Sequence, residues 1–161
     1  MAQSGTLSRD AAWRASSVAD DLSFLLARSN ALSLSAGNTA LRPFGLKVRS
    51  YPVLALACDE LRPTQRELAD FLRLDPSQVV ALIDDLEAQG LVERQTDDRD
   101  RRSKVLVPTA AGRRVCAAAK QAVAAAEAAP FASLSAGERE TLTALLGRVA
   151  FPIDHDGGGT G

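Results

Sequence analysis

From Asp10 to Ala36 the apolar positions Val18, Leu22, Leu25, Leu26 and Leu32 recur at helical spacing. Asp20, Asp21 and Arg28 lie among them and no proline interrupts the stretch, which predicts one long amphipathic helix. Gly37-Asn38 and 42-RPFG-45 then mark a loop. A second helix is expected over Val48 to Glu60, carrying the run 53-VLALAC-58, with Pro52 tolerable only in its first turn or at a kink.

The centre is more sharply punctuated. In 64-TQRE-67, Thr64 has Glu67 three residues on, the pattern of a capping box, and predicts a short helix to about Leu72. In 75-DPSQ-78, Asp75 reads as an N-cap, Pro76 as the first helical residue and Gln78 as N3. Val79, Leu82, Ile83 and Leu86 follow at i, i+3, i+4, i+7, and Gly90 closes the helix. Two short helices joined by a tight turn make a helix-turn-helix. The period then changes: 91-LVER-94 and 105-VLV-107 are β-prone pieces flanking 96-TDDRDRRSK-104, which predicts a hairpin with a long charged tip, a wing. Pro108 is expected to end the second strand early. Thr109 caps a further helix to about Ala128, with Val115, Ala118, Ala122 and Ala125 on one side; Pro130 ends it, and 135-SAGE-138 opens a last helix through Leu142, Leu145, Leu146 and Val149.

The predicted fold is therefore mainly α with a small β-wing: a winged helix-turn-helix lobe over 46–109, terminal helices over 10–45 and 110–150, a disordered N-terminus at 1–9 and a flexible tail at 151–161. A chain of 161 residues, 46% apolar, is long enough to bury a core without staples. The terminal helices carry more apolar surface than so small a lobe covers, which predicts a homodimer.

Composition removes several function classes. Cys58 and Cys116 lie far apart and have no CxxC partner, and the one histidine, His155, sits in the glycine-rich tail, so neither a zinc site nor an acid/base set suggests itself; no cofactor is expected and the protein does not read as an enzyme. The N-terminus has no apolar signal core and no run is long enough to span a membrane, so a cytoplasmic setting is expected. The net charge is −1, so a nucleic-acid partner would have to be met by localised cations.

The charged tip supplies them: it carries four cations, Arg99, Arg101, Arg102 and Lys104, interleaved with Asp97, Asp98 and Asp100. The carboxylates are expected to hold neighbouring guanidinium groups in fixed rotamers, while the cations reach phosphates or a narrow minor groove of double-stranded DNA. A helix-turn-helix places the start of its second helix in the major groove, where Ser77 and Gln78 are suited to base edges and Val80 and Ala81 to thymine methyls. Gln65 and Arg66 open the preceding helix, a phosphate-binding position. Against this, residues 62–104 contain eight cations and ten acids, and Asp84, Asp85 and Glu87 crowd the far end of the second helix, so only its first turn is expected to enter the groove.

These residues resemble the MarR family of bacterial transcriptional regulators. The resemblance spans about 16–150 and is most specific in 64-TQRELADFLRLDPSQVVALIDDLEAQGLVER-94 and 100-DRRSKVLVPTAAG-112, where Asp100, Arg102, Val105 to Val107, Thr109 and Gly112 match the family pattern. It implies a triangular homodimer on a palindromic operator, usually a repressor, released by a small aromatic or phenolic ligand or by cysteine oxidation. It implies that Arg102 enters the minor groove steadied by Asp100, that Ser77 and Gln78 read bases, and that the ligand lies between the first helix, the second and the one after the wing.

Val80-Ala81 stands where relatives often carry Thr-Arg, and no basic residue accompanies Asp85, which weakens contacts from mid-helix. The family's peroxide-sensing branch uses a first-helix cysteine that is missing here; Cys58 and Cys116 read as buried, inert thiols, with a redox role as the alternative. Trp13 reads as a packed or interface residue, with a ligand-covering role as its alternative. A winged-helix protein-interaction module without DNA binding is the competing function.

Overall fold

A computed structural model of the chain describes residues 9–98 and 100–152; the expectations for residues 1–8, for Arg99, and for 153–161, His155 included, fall outside it. The elements run α1 (Arg9–Arg14), α2 (Leu22–Leu41), a 3-10 turn (Arg42–Phe44), α3 (Ser50–Cys58), α4 (Gln65–Leu72), α5 (Pro76–Ala88), β1 (Val92–Thr96), β2 (Lys104–Pro108), α6 (Ala110–Ala126) and α7 (Ala136–Ala150).

The single first helix is replaced by two, and Arg9, assigned to the disordered end, opens α1. Ser16 turns its hydroxyl back to the Trp13 carbonyl (2.7 Å), and Asp21, in extended backbone, accepts the Phe24 amide (2.9 Å) and starts α2 afresh. Nor does α2 end at Gly37-Asn38. A Cβ on Gly37 would stand 2.7 Å from Val48 Cγ1, and Asn38 Oδ1 accepts the Val48 amide at 3.1 Å, so both residues serve the packing of the next loop while remaining helical. The chain turns instead at Gly45, with φ +69°.

In α3, Pro52 is the third residue, where its missing N–H costs no helical bond. Thr64 and Glu67 form the reciprocal capping box, and Asp75, Pro76 and Gly90 hold the expected places around α5. The hairpin is longer than predicted, with Val92 opposite Pro108 and Thr96 opposite Lys104. Pro108 therefore does not shorten β2. It is the terminal pair, after the inner bond Leu106 N–H to Pro63 carbonyl (2.8 Å) that docks β2 on the segment before α4.

The core gathers Val53 and Leu54 of α3, Leu68 of α4, Val79, Ile83 and Leu86 of α5, and Val92 and Leu106 of the hairpin, with Leu41, Cys116 and Ala119 joining from the flanking helices. Each fully buried Leu or Ile contributes roughly 2–3 kcal/mol. The buried stripe of α6 is Gly112, Cys116 and Ala119, continued by half-buried Val123; of the side read from the sequence, Val115 and Ala122 are half-buried and Ala118 and Ala125 exposed. Gly112 sets that rotation. A Cβ there would lie 1.9 Å from the Leu91 carbonyl oxygen, so α6 meets the start of the hairpin backbone to backbone.

Apolar side chains of the terminal helices stay uncovered, among them Trp13, Leu22, Leu25 and Leu32 at one end and Leu145, Val149 and Phe151 at the other. Phe151, assigned to the flexible tail, stacks on Phe71 of α4 with ring centroids 5.8 Å apart.

Candidate nucleic-acid interface

Val79, Ile83 and Leu86 lock one side of α5 into the core, which leaves Ser77, Gln78 and Ala81 exposed over its first turns. Val80, expected beside Ala81 on the open side, is half-buried. The cap refines what Ser77 can offer. Asp75 Oδ1 accepts both the Ser77 hydroxyl (2.5 Å) and its amide (2.8 Å). Those two bonds, the hydroxyl's first, hold the Asp75 carboxyl below the ordinary carboxylate range. The hydroxyl's one proton is thus committed inward, and Ser77 presents lone pairs to a partner, suited to the amino groups of adenine or cytosine. At the start of α4, Gln65 is half-buried, while the Arg66 side chain is 93% exposed and only loosely paired with Asp70 at 3.9 Å.

The wing tip is held by its main chain. Ser103 O accepts from Asp97 N (3.0 Å) and Asp100 O from Ser103 N (2.9 Å). The Asp100 carboxylate accepts the Arg102 amide (3.0 Å) and the Ser103 hydroxyl (2.9 Å), and these bonds, the amide's first, lower its pKa. The expectation that Asp100 clamps a guanidinium is corrected: it reaches Arg102 through the backbone, fixing the turn and leaving the Arg102 side chain projecting. Arg101 and Arg102 are both exposed. Lys104 Nζ donates across the strands to Thr96 Oγ1 at 2.8 Å, so this cation is steadied by the hairpin itself.

Two arginines outside the predicted set shape the same surface. Arg94 of β1 donates to Asp84 Oδ1 at 2.6 Å and to Glu87 Oε2, while its amide bonds Glu87 Oε1 at 2.9 Å. It draws together two of the carboxylates that made the end of α5 look hostile to a polyanion. Arg62, at φ +46°, pairs with Asp98 at 3.5 Å and ties the wing to the segment before α4. Periodicity announces neither pair, since each forms only when the chain reverses at Gly90 or folds the hairpin back on Pro63. Thr109 joins wing to α6: its hydroxyl donates to the Gly90 carbonyl (2.7 Å) and accepts the Gly112 amide (3.0 Å).

Behind this surface, α2, α3 and α6 enclose a cavity of about 220 Å³ lined by Leu34, Leu41, Val48, Tyr51, Val123 and Glu127 among others. It occupies the place the resemblance implied for a ligand. The two thiols, remote in sequence, meet in the fold: Cys116 is buried on α6 and Cys58 is half-buried at the end of α3. Burial first, then the hydrogen bond its S–H donates to the Cys116 sulfur, pushes the Cys58 thiol up to about 12. A thiol shifted upward from 9.0 carries less thiolate near pH 8 than a free one, so Cys58 is expected to resist iodoacetamide in the native protein and to react faster in denaturant. Mass-spectrometric labelling that proceeded equally fast in both would show an activated thiol instead. Among the described residues no group of side chains could hold a metal ion, and no helix is long and apolar enough to cross a membrane.

Known proteins share this arrangement. The MarR family model matches residues 44–103. CouR from Rhodococcus jostii RHA1, solved bound to p-coumaroyl-CoA, is 43% identical, with 84% of this chain and 96% of that one covered and a TM-score of 0.77. A CouR repressor bound to a 23-mer DNA duplex is 29% identical, covering 83% and 95% of the two chains with a TM-score of 0.76. A protein of Thauera aromatica described as a transcriptional regulator for the hcr operon is 31% identical over 83% of this chain and 81% of its own length. The chain also spans 61% of YybA, an uncharacterized HTH-type transcriptional regulator of Bacillus subtilis, at 28% identity. With the helix-turn-helix, the wing and the Thr109-x-x-Gly112 junction in their places, the chain belongs to the MarR family of transcriptional regulators.

Proposed function

We propose that the protein is a cytoplasmic, non-catalytic repressor that binds a pseudo-palindromic operator as a homodimer and is released by a small aromatic or phenolic ligand. The observation that carries this reading is the start of α5, where a polar, exposed turn is set on a helix whose opposite side is immobilised in the core. The exposed arginines of an ordered wing complement it. Solved relatives hold a duplex in one case and an aromatic CoA thioester in another, which supports both halves of the proposal.

The roles follow from the geometry. Gln78 and Ser77 would read base edges, with Ala81 admitting a thymine methyl; Arg66, Arg101 and Lys104 would lie on phosphates, Arg99 is assigned the same part from sequence alone, and Arg102 would enter the minor groove. The segments 10–45 and 110–150 would form the dimer frame, since their uncovered leucines match a second copy and not solvent. The alternative interaction module is less well supported, because Asp84 and Glu87 are engaged by Arg94 and Asp98 by Arg62, although Asp85 stays exposed.

Duplex selection from a random pool tests the proposal. Wild-type protein is expected to retain a two-fold-related sequence whose half-sites lie about one helical turn apart, and Gln78→Ala to relax the choice at one position per half-site, a cost of roughly 1–3 kcal/mol each. Retention of no duplex at low salt would sink the reading. A uniform loss with Gln78→Ala would reduce Gln78 to a positioning residue.

A further inference from the structure

The cavity between α2, α3 and α6 has an uneven polarity. Its walls are mostly apolar, from Leu34, Leu41, Val48 and Val123, and its polar lining residues include Ser33, Tyr51 and Glu127. Glu127 is exposed and so stands where the cavity opens, whereas Tyr51 is half-buried. The negative character at that end has a second source. Glu127 is the C-cap of α6 and Ala126 its last residue, and both line the cavity, so the partial negative charge of a helix C-terminus points there too. Among the described residues no lysine or arginine joins the lining; Lys47 and Arg49 flank Val48 in sequence but not in the cavity wall.

A volume of about 220 Å³ fits one aromatic ring with a short substituent, given that a cavity of roughly 150 Å³ holds benzene. A free carboxylate on that ring would meet a like charge and a helix C-terminus with no cation to answer it. An ammonium would be attracted, but the apolar walls would strip its hydration. A neutral hydroxyl escapes both penalties: it donates to Glu127 and exchanges hydrogen bonds with Tyr51.

We propose that this cavity selects a neutral phenolic ring over an aromatic carboxylate, and that Glu127 is the residue that decides it. The inference rests on the cavity being the effector site. It narrows the expected aromatic ligand to one whose acid group is absent or masked.

The test uses the full-length protein and two probes that differ only in the head, 4-methylphenol and 4-methylbenzoate, titrated calorimetrically at pH 7.5. The phenol is expected to bind about tenfold or more tightly than the benzoate, the order of effect of a like charge a few ångströms away. Glu127→Gln, nearly isosteric and exposed, is expected to bring the two within about threefold, chiefly by admitting the benzoate. Benzoate binding wild type as well as the phenol, or a ratio unmoved by Glu127→Gln, overturns the selectivity while leaving the cavity a ligand site. Ala126→Phe, placed to fill the space, separates the other failure. Phenol binding that survives it in a protein of unchanged melting temperature, or no binding of either probe to wild type, removes the cavity as the effector site and the inference with it.

Discussion

Arg102→Ala is expected to weaken duplex binding about 100-fold at moderate salt and to flatten the salt dependence by about two units of slope. The side chain is exposed at the wing tip, and a dimer presents it twice, so a loss of roughly 1.4 kcal/mol per copy compounds to about two powers of ten. The effect should be similar across sequences, because a groove or phosphate contact of this kind carries little base information. Asp100→Ala supplies the sharper comparison. It removes a negative charge beside the proposed DNA surface, so simple electrostatics calls for tighter binding. The structure calls for the reverse, since that carboxylate holds the Arg102 amide and the Ser103 hydroxyl and thereby orders the turn. A loss of roughly tenfold is expected from the entropy of ordering the tip on binding. Fluorescence anisotropy on one operator duplex would read both. Tighter binding by Asp100→Ala, or unchanged binding by Arg102→Ala, would remove the wing from the proposed interface.

The largest effect on stability is expected at Gly112. Alanine there gains up to about 1 kcal/mol of helix propensity, yet its methyl would stand 1.9 Å from the Leu91 carbonyl oxygen and 2.9 Å from the carbonyl carbon. Backbone cannot swing aside as a side-chain end can, so the α6–hairpin junction must move, at the upper end of overpacking costs, about 3 kcal/mol. The net loss is about 2 kcal/mol, or roughly 4–8 °C in melting temperature for a chain of this size. Gly137→Ala is the matched control, for it too lies in a first helical turn and a Cβ there meets nothing within 4 Å. If Gly112→Ala melted with the wild type, close approach of α6 to Leu91 would not be what requires glycine. Because Thr109 bonds both Gly90 and Gly112, the same substitution is expected to loosen the root of the wing and weaken DNA binding along with the fold.

Much of the lobe was legible because its signals are local. A capping box, an N-cap followed by proline, or a C-terminal glycine satisfies orphan groups within a few residues of itself, so Thr64, Asp75, Gly90, Thr109 and Ser135 announced element ends that the fold keeps. Elsewhere a local signal was overruled. Gly37-Asn38 looks like a turn in any window of sequence, but its purpose is set by Val48, ten residues away. Asp21, read as a polar residue on a long helix, bonds the nearby backbone, as does Ser16, and the two divide it. In α6 the alanines make almost any face look apolar; which one is buried was settled by the contact of Gly112 with Leu91.

The candidate site divides along the same line. By itself the sequence determined that a polar, short-side-chained turn opens α5, that cations concentrate between two strands, and that the terminal helices carry surplus apolar surface. These follow from residue type and spacing, which need no knowledge of what lies opposite. Only the tertiary structure decided what each polar group is free to do. It spent the Ser77 proton on Asp75, turned Asp100 from a guanidinium clamp into a backbone brace, and gathered Asp84 and Glu87 onto Arg94. It also brought Glu127 to the mouth of a cavity walled by helices far apart in the chain. The reason is physical: a hydrogen bond or ion pair belongs to two groups, and when they are remote in sequence, neither residue alone reveals its partner.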